Sequence, residues 1–218
     1  MTEINGETAL EVWKKALKLL IEQGTDYEDR RNRICREYLN LILTIEDTKN
    51  VDKPVEVLNS FGKWVYPPIE ELKAFFLGKK EAPGYYYHYG DRAFNPAWRN
   101  QVDDYIIPLL KSNPTTKRAI IIFYNPKIDS YVNRKEIPGL IMVNFNLRKN
   151  KLHVTSIIRS NDMFHGWPGN VCQINMLQEY IAKQVGCQAG KIVTISVAAH
   201  IFDDQFEDIE KVIAMKEK

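Results

Sequence analysis

Apolar residues recur three or four positions apart in four segments of the chain, and this spacing is typical of amphipathic helices. The four segments are 7–23, 68–77, 102–110 and the stretch from Asn170 to Val185. Gly24 follows the first segment and Gly186 follows the last, and glycine often ends a helix. The pattern therefore predicts four helices, with the fourth beginning at Asn170.

Five further runs are mainly apolar and too short for helices, which predicts strands. They are 39–45, 119–124, 140–147, 152–158 and 191–199. The polar turn 148–151 predicts that the third and fourth runs form a hairpin, and the continuous apolar run 119–124 predicts a buried strand. Two other segments, the charged 26–33 and the aromatic-rich 84–92, are interpreted as loops.

Length and composition narrow the class of protein. The 218 residues predict a single domain, 1–218, with one sizeable core. A net charge of +2 argues against a nucleic-acid partner, and the chain has no 18-residue apolar run that would span a membrane. Cys35, Cys172 and Cys187 are widely spaced without a CxxC pair, which argues against a disulfide framework or a metal site and favours a reducing compartment. Because no signal-peptide pattern is present, we expect a cytoplasmic protein.

Candidate chemistry concentrates in segment 159–170, between the apolar run that ends at Ile158 and the last predicted helix. The guanidinium of Arg159 can bind a phosphate through two parallel hydrogen bonds. The amide of Asn170 can cap a helix or read the edge of a base. From these residues alone, a capped strand-to-helix loop and a nucleotide site are both open interpretations.

Three pieces of sequence resemble the nucleotide-binding signature of the thymidylate synthases. Within that family the pattern is most similar to the small archaeal-type members and to the related pyrimidine nucleotide hydroxymethylases. The pieces are Arg159-Ser160-x-Asp162, Pro168-x-Asn170 and Ala199-His200-Ile201-Phe202. The resemblance implies an α+β fold with a large mixed β-sheet, helices packed on one face and a homodimer formed through the other face. It also implies a pyrimidine nucleoside monophosphate as the substrate and a reduced folate, methylenetetrahydrofolate, as the cofactor.

The resemblance implies that several cations hold the substrate phosphate. In one subunit these are Arg159 and Arg30, with Arg31 as the alternative one position away. The family carries a pair of arginines that reaches across the dimer interface to the partner's phosphate, and the matching pair here is Lys117 and Arg118. The lysine keeps the charge but lacks the guanidinium fork.

The resemblance also implies roles in substrate binding and in catalysis. The implied residues are Ser160, Tyr89, Asn170 and His200 for substrate binding, and Glu71 and Asp162 for acid–base catalysis. Asn170 would read the base, and we expect uracil because cytosine-directed members more often carry an acid at that position. His200 would bond the 3′-hydroxyl of the sugar, and Glu71 would organise water near the pyrimidine.

The chain departs from the family pattern at several points. Family chemistry begins with a cysteine thiolate that attacks C6 of the pyrimidine, and the residue at that position here is Gly139. Cys172, at a predicted helix start, is either a relocated nucleophile or a buried core cysteine. Phe202 replaces a tyrosine that bonds the sugar, and the 18 residues after His200 do not resemble the tail that closes over folate in many members.

The sequence thus predicts a protein that binds a dUMP-like pyrimidine 5′-monophosphate and acts as an enzyme at C5 of the base, by methyl or hydroxymethyl transfer with altered chemistry. Two alternatives are open: a catalytically inactive nucleotide-binding or regulatory homologue, and a different nucleotide-modifying reaction that needs no cysteine adduct at C6. Gly139 favours the alternatives, whereas Glu71 and Asp162 favour retained acid–base chemistry.

Overall fold

The structure is a computed structural model that describes residues 2–29, 32–63, 65–77, 89–134 and 136–216. The chain forms two compact units, and each is assembled from separate stretches of sequence. The first unit comprises Met1–Tyr66, Ile158–Cys172 and Val193–Lys218, and the second comprises Pro67–Ile157 and Gln173–Ile192. This division into units does not test the predicted single domain, 1–218, which stays a prediction.

The first unit contains strands and helices from both ends of the chain. They are β1 (Thr2–Gly6), α1 (Ala9–Gln23), β2 (Thr25–Glu28), β3 (Ile34–Ile45), α2 (Lys53–Ser60), β7 (Asn161–Asp162) and α8 (Phe206–Ala214). Two longer elements have residues in both units, namely α7 (Gly166–Val185) and β8 (Gln188–Phe202). A 3-10 turn, Asp203–Gln205, joins β8 to α8.

The second unit contains the middle of the chain. Its elements are α3 (Ile69–Phe76), α4 (Tyr89–Phe94), a 3-10 turn (Pro96–Trp98), a π-helical turn (Val102–Ile106), α5 (Ile107–Ser112), β4 (Ile120–Ile122), α6 (Pro126–Asp129), β5 (Leu140–Arg148) and β6 (Lys151–Ile158).

In the first unit the strands follow the order β1-β3-β8. β1 pairs in parallel with β3, β2 pairs antiparallel with β3, and β7 pairs in parallel with β8, so the sheet is mixed. Helix α1 packs on β3. Its apolar stripe is fully buried and consists of Ala9, Val12, Trp13, Ala16, Leu17 and Leu20. Burying one large apolar side chain contributes roughly 1.5–3 kcal/mol, so this stripe fixes the position of the helix.

The ends of α1 match the signals in the sequence. The side chain of Thr8 accepts a hydrogen bond from the backbone N–H of Glu11 at 3.2 Å, which is the geometry of an N-cap. At the other end the N–H of Gly24 donates to the carbonyl of Leu20 at 3.0 Å. The predicted helix 7–23 is confirmed, with its start two residues later.

In the second unit the strands follow the order β8-β6-β5-β4. The predicted hairpin is confirmed as β5 and β6, and its turn residues Lys149 and Asn150 both have positive φ angles, 50° and 59°, as a two-residue primed turn requires. The predicted strand 119–124 is shorter, Ile120–Ile122, and lies at the end of this order. Ile122 is 46% exposed, so the prediction of a fully buried strand is wrong there.

The charged segment 26–33 is a loop only in part, because Thr25–Glu28 forms strand β2. Asp26 lies opposite Arg36 of β3. The guanidinium donates two hydrogen bonds to the carboxylate, at 2.6 and 2.8 Å. Such a cross-strand pair lets charged residues occupy an exposed strand, which is why the loop prediction is wrong at this point.

Helix α7 begins at Gly166, not at Asn170. The carboxylate of Asp162 accepts hydrogen bonds from the backbone N–H groups of Phe164 and His165, both at 2.9 Å, and so turns the chain early. Pro168 then lies in the first helical turn, where its missing N–H removes no helical hydrogen bond. The predicted helix end is confirmed, since Gly186 follows α7 with a φ of 84°.

The predicted helix 102–110 is confirmed. It begins with an irregular π-helical turn, Val102–Ile106, and continues as α5. The N–H of Ile106 donates to the carbonyl of Gln101, five residues earlier. Pro108 has no N–H to give to the carbonyl of Asp104, and the wider π-helical turn accommodates this break. In the aromatic segment, residues 84–88 lie outside the described part of the chain, and the remainder belongs to α4 instead of a loop.

Besides β2 and α4, which fall largely in segments interpreted as loops, the sequence analysis did not identify β1, α2, α6, β7 and α8. They are between two and nine residues long, and at such lengths hydrophobic periodicity is a weak signal. None of the helices in the described ranges is long and apolar enough to cross a membrane.

Candidate functional site

Segment 159–170 lies in the first unit and begins where β6 ends, at Ile158. Two residues later the chain pairs with β8, so that Asn161 lies opposite Ala199 and Asp162 lies opposite His200. The N–H of Met163 donates to the carbonyl of His200 at 2.8 Å. The first and third pieces of the sequence signature are therefore side by side on neighbouring strands.

Asp162 is engaged at both carboxylate oxygens. One oxygen accepts from the two backbone N–H groups that start the turn into α7. The other accepts from the side-chain amide of Gln205 at 3.1 Å. Gln205 is buried, and its own oxygen accepts from the N–H of Phe202 at 3.0 Å. These contacts hold the strand, the turn and the start of α7 together, and the catalytic role of Asp162 stays a prediction.

Asn170 is held by a residue that the sequence analysis did not single out. Its side-chain N–H donates to the oxygen of Asn161 at 3.2 Å, and the amide nitrogen of Asn161 donates to the hydroxyl of Ser196 at 2.9 Å. Asn161 is 1% exposed and Ser196 is fully buried, whereas Asn170 is half-buried. A buried chain of side chains thus positions an amide that retains access to a ligand.

His200 lies beside an aromatic ring and a cation. The edge of its ring meets Phe202, with 5.2 Å between the centroids. The guanidinium of Arg33 stacks over Phe202 at 3.8 Å and is also paired with the carboxylate of Asp29 at 2.8 Å. Stacking on an aromatic face stabilises the guanidinium cation beside Phe202, which belongs to the third piece of the signature. Segment 26–33 contains three arginines. Arg30 and Arg31 lie outside the described residues, so the structure describes only Arg33 among them.

The turn into α7 is closely packed. The hydroxyl of Tyr66 donates to the carbonyl of His165 at 2.5 Å, and the ring of Tyr66 lies against Gly169. A Cβ atom at residue 169 would lie 2.5 Å from two ring carbons and from the hydroxyl oxygen of Tyr66, so only glycine fits without a rearrangement. Gly169 therefore permits the close approach that orders the segment preceding Asn170.

The second unit contains the remaining predicted site residues. The backbone N–H of Leu140 donates to the hydroxyl of Tyr89 at 3.0 Å, so that hydroxyl lies next to Gly139. Glu71 is in the first turn of α3. Lys117 and Arg118 come just before β4, and both side chains are exposed.

The structure therefore divides the predicted site residues between the units. It gathers Arg159, Ser160, Asp162, Asn170 and His200 in the first unit, and Tyr89 and Gly139 in the second. The side chain of Arg159 is exposed, and its role as a phosphate ligand stays a prediction. Within the described residues there is no group of three or more His, Cys, Asp or Glu side chains that could hold a metal ion.

Cys172 does not lie at a helix start as predicted, but its burial confirms the interpretation as a buried core cysteine. It is 2% exposed and is the seventh residue of α7, well inside the helix. A thiol at that depth does not receive the stabilisation that a helix N-terminus gives a thiolate. Cys35, Cys172 and Cys187 form no disulfide, and burial raises the pKa of Cys35 and of Cys187.

Sequence comparisons match this chain to thymidylate synthases and to a related hydroxymethyltransferase. The family model described as Thymidylate synthase matches residues 45–218. A protein of Methanosarcina barkeri described as "Putative thymidylate synthase" is 32% identical over 212 residues, which covers 96% of this chain and 94% of that relative. The deoxyuridylate hydroxymethyltransferase of Bacillus phage SP01 is 34% identical over 110 residues, covering 47% of this chain and 29% of the phage protein.

The fold is also similar to a solved structure, thermostable thymidylate synthase A from Bacillus subtilis. The TM-score is 0.68 at 20% sequence identity, and the match covers 100% of this chain and 86% of the other. This likeness, together with the mixed strand pairing, confirms the α+β fold with a mixed sheet and helices.

Proposed function

Because the chain belongs to the thymidylate synthase family, we propose that it binds a pyrimidine nucleoside 5′-monophosphate and transfers a one-carbon group to C5 of the base. The observation that carries the proposal is the pairing of β7 with β8, which sets Asp162 opposite His200 with the Asn170 amide held nearby through Asn161. The similarity to a deoxyuridylate hydroxymethyltransferase supports a uracil nucleotide.

In this proposal Arg159 binds the phosphate with Ser160 and Arg30, and the Lys117–Arg118 pair reaches it from a partner subunit. The exposed side chains of Arg159, Lys117 and Arg118 are compatible with that role. A guanidinium binds a phosphate through two charge-assisted hydrogen bonds, and each such bond is worth about 1.5–3 kcal/mol.

His200 binds the 3′-hydroxyl of the sugar, and Phe202 cannot add the hydrogen bond that a tyrosine would supply. The loss should cost about 0.5–1.5 kcal/mol of binding energy. The Arg33 guanidinium, stacked on Phe202, also lies on this side of the site, with its charge balanced by the carboxylate of Asp29. We propose that Glu71 performs the acid–base steps on the base, and that Tyr89 lines the cleft beside Gly139.

The one-carbon donor that we propose is a reduced folate, methylenetetrahydrofolate, since the family uses it. The described residues after Phe202 form a 3-10 turn and α8, and α8 packs on α1. This segment is part of the packed fold of its unit, so we assign it no contact with the folate.

A second candidate function is favoured by one observation, the absence of a side chain at Gly139. A family member without a nucleophile at this position can bind the nucleotide without performing the reaction, as a sensor or regulatory protein. Release of tritium from dUMP labelled at C5, with methylenetetrahydrofolate present, separates the two functions. Release supports the enzyme, whereas tight dUMP binding without release supports the non-catalytic protein.

Titration calorimetry with dUMP, dCMP and AMP tests the ligand class. We expect dUMP to bind most tightly, and Arg159→Ala to weaken it by roughly tenfold to a hundredfold because a charged contact to the phosphate is lost. Lys151→Ala removes a cation from the exposed first residue of β6 and serves as the matched control, with unchanged affinity. Equal binding of AMP would contradict the proposal.

A further inference from the structure

The side chain of Asn161 connects the base-reading amide to the core of the first unit. Its nitrogen donates to Ser196 at 2.9 Å and its oxygen accepts from Asn170 at 3.2 Å. Asn161 and Ser196 are 1% and 0% exposed, so neither has water as a substitute partner. The second side-chain N–H of Asn170 and its oxygen have no partner within the described residues, and this edge of the amide is available to a ligand.

An asparagine can recognise either pyrimidine, depending on which way its amide points. Uracil presents an N–H donor at N3 and an acceptor at O4, whereas cytosine presents an acceptor at N3 and a donor at N4. A side-chain amide offers one donor and one acceptor on the same edge. Turning the amide by 180° exchanges the two and converts a uracil site into a cytosine site.

The neighbours of Asn170 oppose this turn. In the structure the nitrogen of Asn161 donates to Ser196, and its oxygen faces Asn170 and accepts one N–H from it. A turned Asn170 would direct its own carbonyl oxygen at that oxygen. No proton would then lie between the two oxygens, which costs free energy, unless the Asn161 side chain, 1% exposed, turned within the core as well.

The supporting elements are rigid. Asn170 is on α7, Asn161 is on β7, and Ser196 is on β8, so each side chain projects from a regular element. Trp167 lies three residues before Asn170 on α7, and its ring N–H donates to the hydroxyl of Thr194 at 3.0 Å, two residues before Ser196 on β8. Two parallel hydrogen-bonded connections therefore join the same stretch of helix to the same face of β8, and fix the geometry as a selective site requires.

We propose that Asn161, anchored by Ser196, is a specificity-determining positioning residue that holds the Asn170 amide in the orientation that reads uracil. The inference rests on the proposed function, since it concerns the base of the same nucleotide. It assigns the choice between uracil and cytosine to a pair of buried side chains that need not touch the ligand.

The test compares the affinities of dUMP and dCMP in the wild type and three variants by titration calorimetry. Asn161→Leu keeps the approximate size and removes the acceptor, so the amide of Asn170 can turn, and we expect the dUMP-to-dCMP affinity ratio to fall about tenfold or more. Asn161→Asp keeps an oxygen facing Asn170 and should hold the ratio within about threefold of the wild type. Ser196→Ala releases Asn161 and should lower the ratio, and it serves as the test if the leucine variant does not fold.

The outcomes separate the inference from the proposed function. If Asn161 had a purely structural role, its substitution would weaken the binding of dUMP and dCMP alike and leave their affinity ratio unchanged. An unchanged ratio in Asn161→Leu or Ser196→Ala therefore overturns the inference. A wild type that binds neither nucleotide overturns the proposed function, and the inference with it. A lowered ratio that Asn161→Asp restores supports the inference.

Discussion

In the proposed site Gly139 takes the position of the family's nucleophile and presents only backbone there, and the hydroxyl of Tyr89 is hydrogen-bonded to the N–H of the following residue. A nucleophile must lie within about 3–3.5 Å of the reacting carbon in the bound complex. Water can occupy the space that a side chain would fill, but it is a much weaker nucleophile than a thiolate. In the proposed function, the chemistry at C6 therefore depends on this residue.

We predict that the protein forms no covalent adduct with 5-fluoro-dUMP, even with methylenetetrahydrofolate present, because residue 139 carries no thiol. Mass spectrometry of the denatured protein measures this directly. The variant Gly139→Cys should gain the mass of the nucleotide if the residues around the base are still positioned for catalysis. An adduct on the unmodified protein, mapped to Cys172, would show that the thiol has moved.

Residue packing in the turn into α7 gives a second prediction. Gly169→Ala places a Cβ 2.5 Å from the ring of Tyr66, whose hydroxyl is held by the carbonyl of His165. We expect this overpacking to lower the free energy of unfolding by about 1–3 kcal/mol, measured by urea denaturation. Gly166→Ala is the control on the same helix, because its Cβ meets Asp162 at an ordinary 3.5 Å. Equal stability of the two variants would contradict the packing argument.

At the scale of elements, helices α4 and α6 are joined by a buried ion pair. The guanidinium of Arg92 donates to both oxygens of Asp129, at 2.5 and 2.9 Å, and to the carbonyl of Phe123. The two side chains are 5% and 0% exposed. Burial alone would raise the pKa of Asp129, but the hydrogen bonds from Arg92 and from the N–H of Asn125 outweigh it and hold that pKa below its usual value.

The direction of this shift fixes the pH dependence. A carboxyl with a lowered pKa in the folded state stabilises the fold above its unfolded pKa of about 3.9, and the contribution is lost as pH falls through the folded value. We therefore predict that the wild type loses stability below about pH 4, and that Asp129→Asn shows a smaller loss over the same range. Urea denaturation at pH 7 and at pH 3 measures the difference.

The variant Asp129→Asn also measures how much the Arg92–Asp129 ion pair contributes to the free energy of unfolding. At pH 7, Asp129→Asn leaves the guanidinium of Arg92 buried without its counter-charge, which should cost about 3–5 kcal/mol. Asp26→Asn removes a carboxylate from the exposed pair with Arg36 and should cost only about 0.2–1 kcal/mol. Similar costs for the two substitutions would mean that burial does not set the strength of the Arg92 pair.

At the scale of the whole molecule, the site proposed here is complete only when a second copy of the chain contributes Lys117 and Arg118. We predict a homodimer with about twice the monomer mass of 25.4 kDa by light scattering at micromolar concentration. A monomer under these conditions would contradict the shared site.

Mixing two defective variants tests whether the subunits share residues. Arg118→Ala lacks the cation supplied to the partner, and Asn170→Ala lacks the base-reading amide. In a mixed dimer one site receives an intact Asn170 from its own chain and an intact Arg118 from the other. Random pairing should therefore restore dUMP binding to about one site in four, measured by titration calorimetry after unfolding and refolding together. No restoration would place both residues in the same subunit's site.

The sequence by itself determined the features that depend on neighbours along the chain. The apolar stripe of α1 with Thr8 and Gly24 at its ends, and the β5–β6 hairpin with its polar turn, follow from local periodicity and local capping. Motif residues such as Arg159, Asn170 and His200 were also identifiable, because their order and spacing are properties of the linear chain.

The tertiary structure decided the features that depend on residues far apart in sequence. Ser196 fixes Asn161, and Arg33 stacks on Phe202, through contacts that no local pattern encodes. The two-residue strand β7 exists because β8 offers it a partner, and α4 is fixed by a counter-charge on α6. In each case the stabilising free energy comes from a contact made only after the chain has folded, so the residues involved look unremarkable in the sequence. The structure alone shows how the Asn170 amide is held.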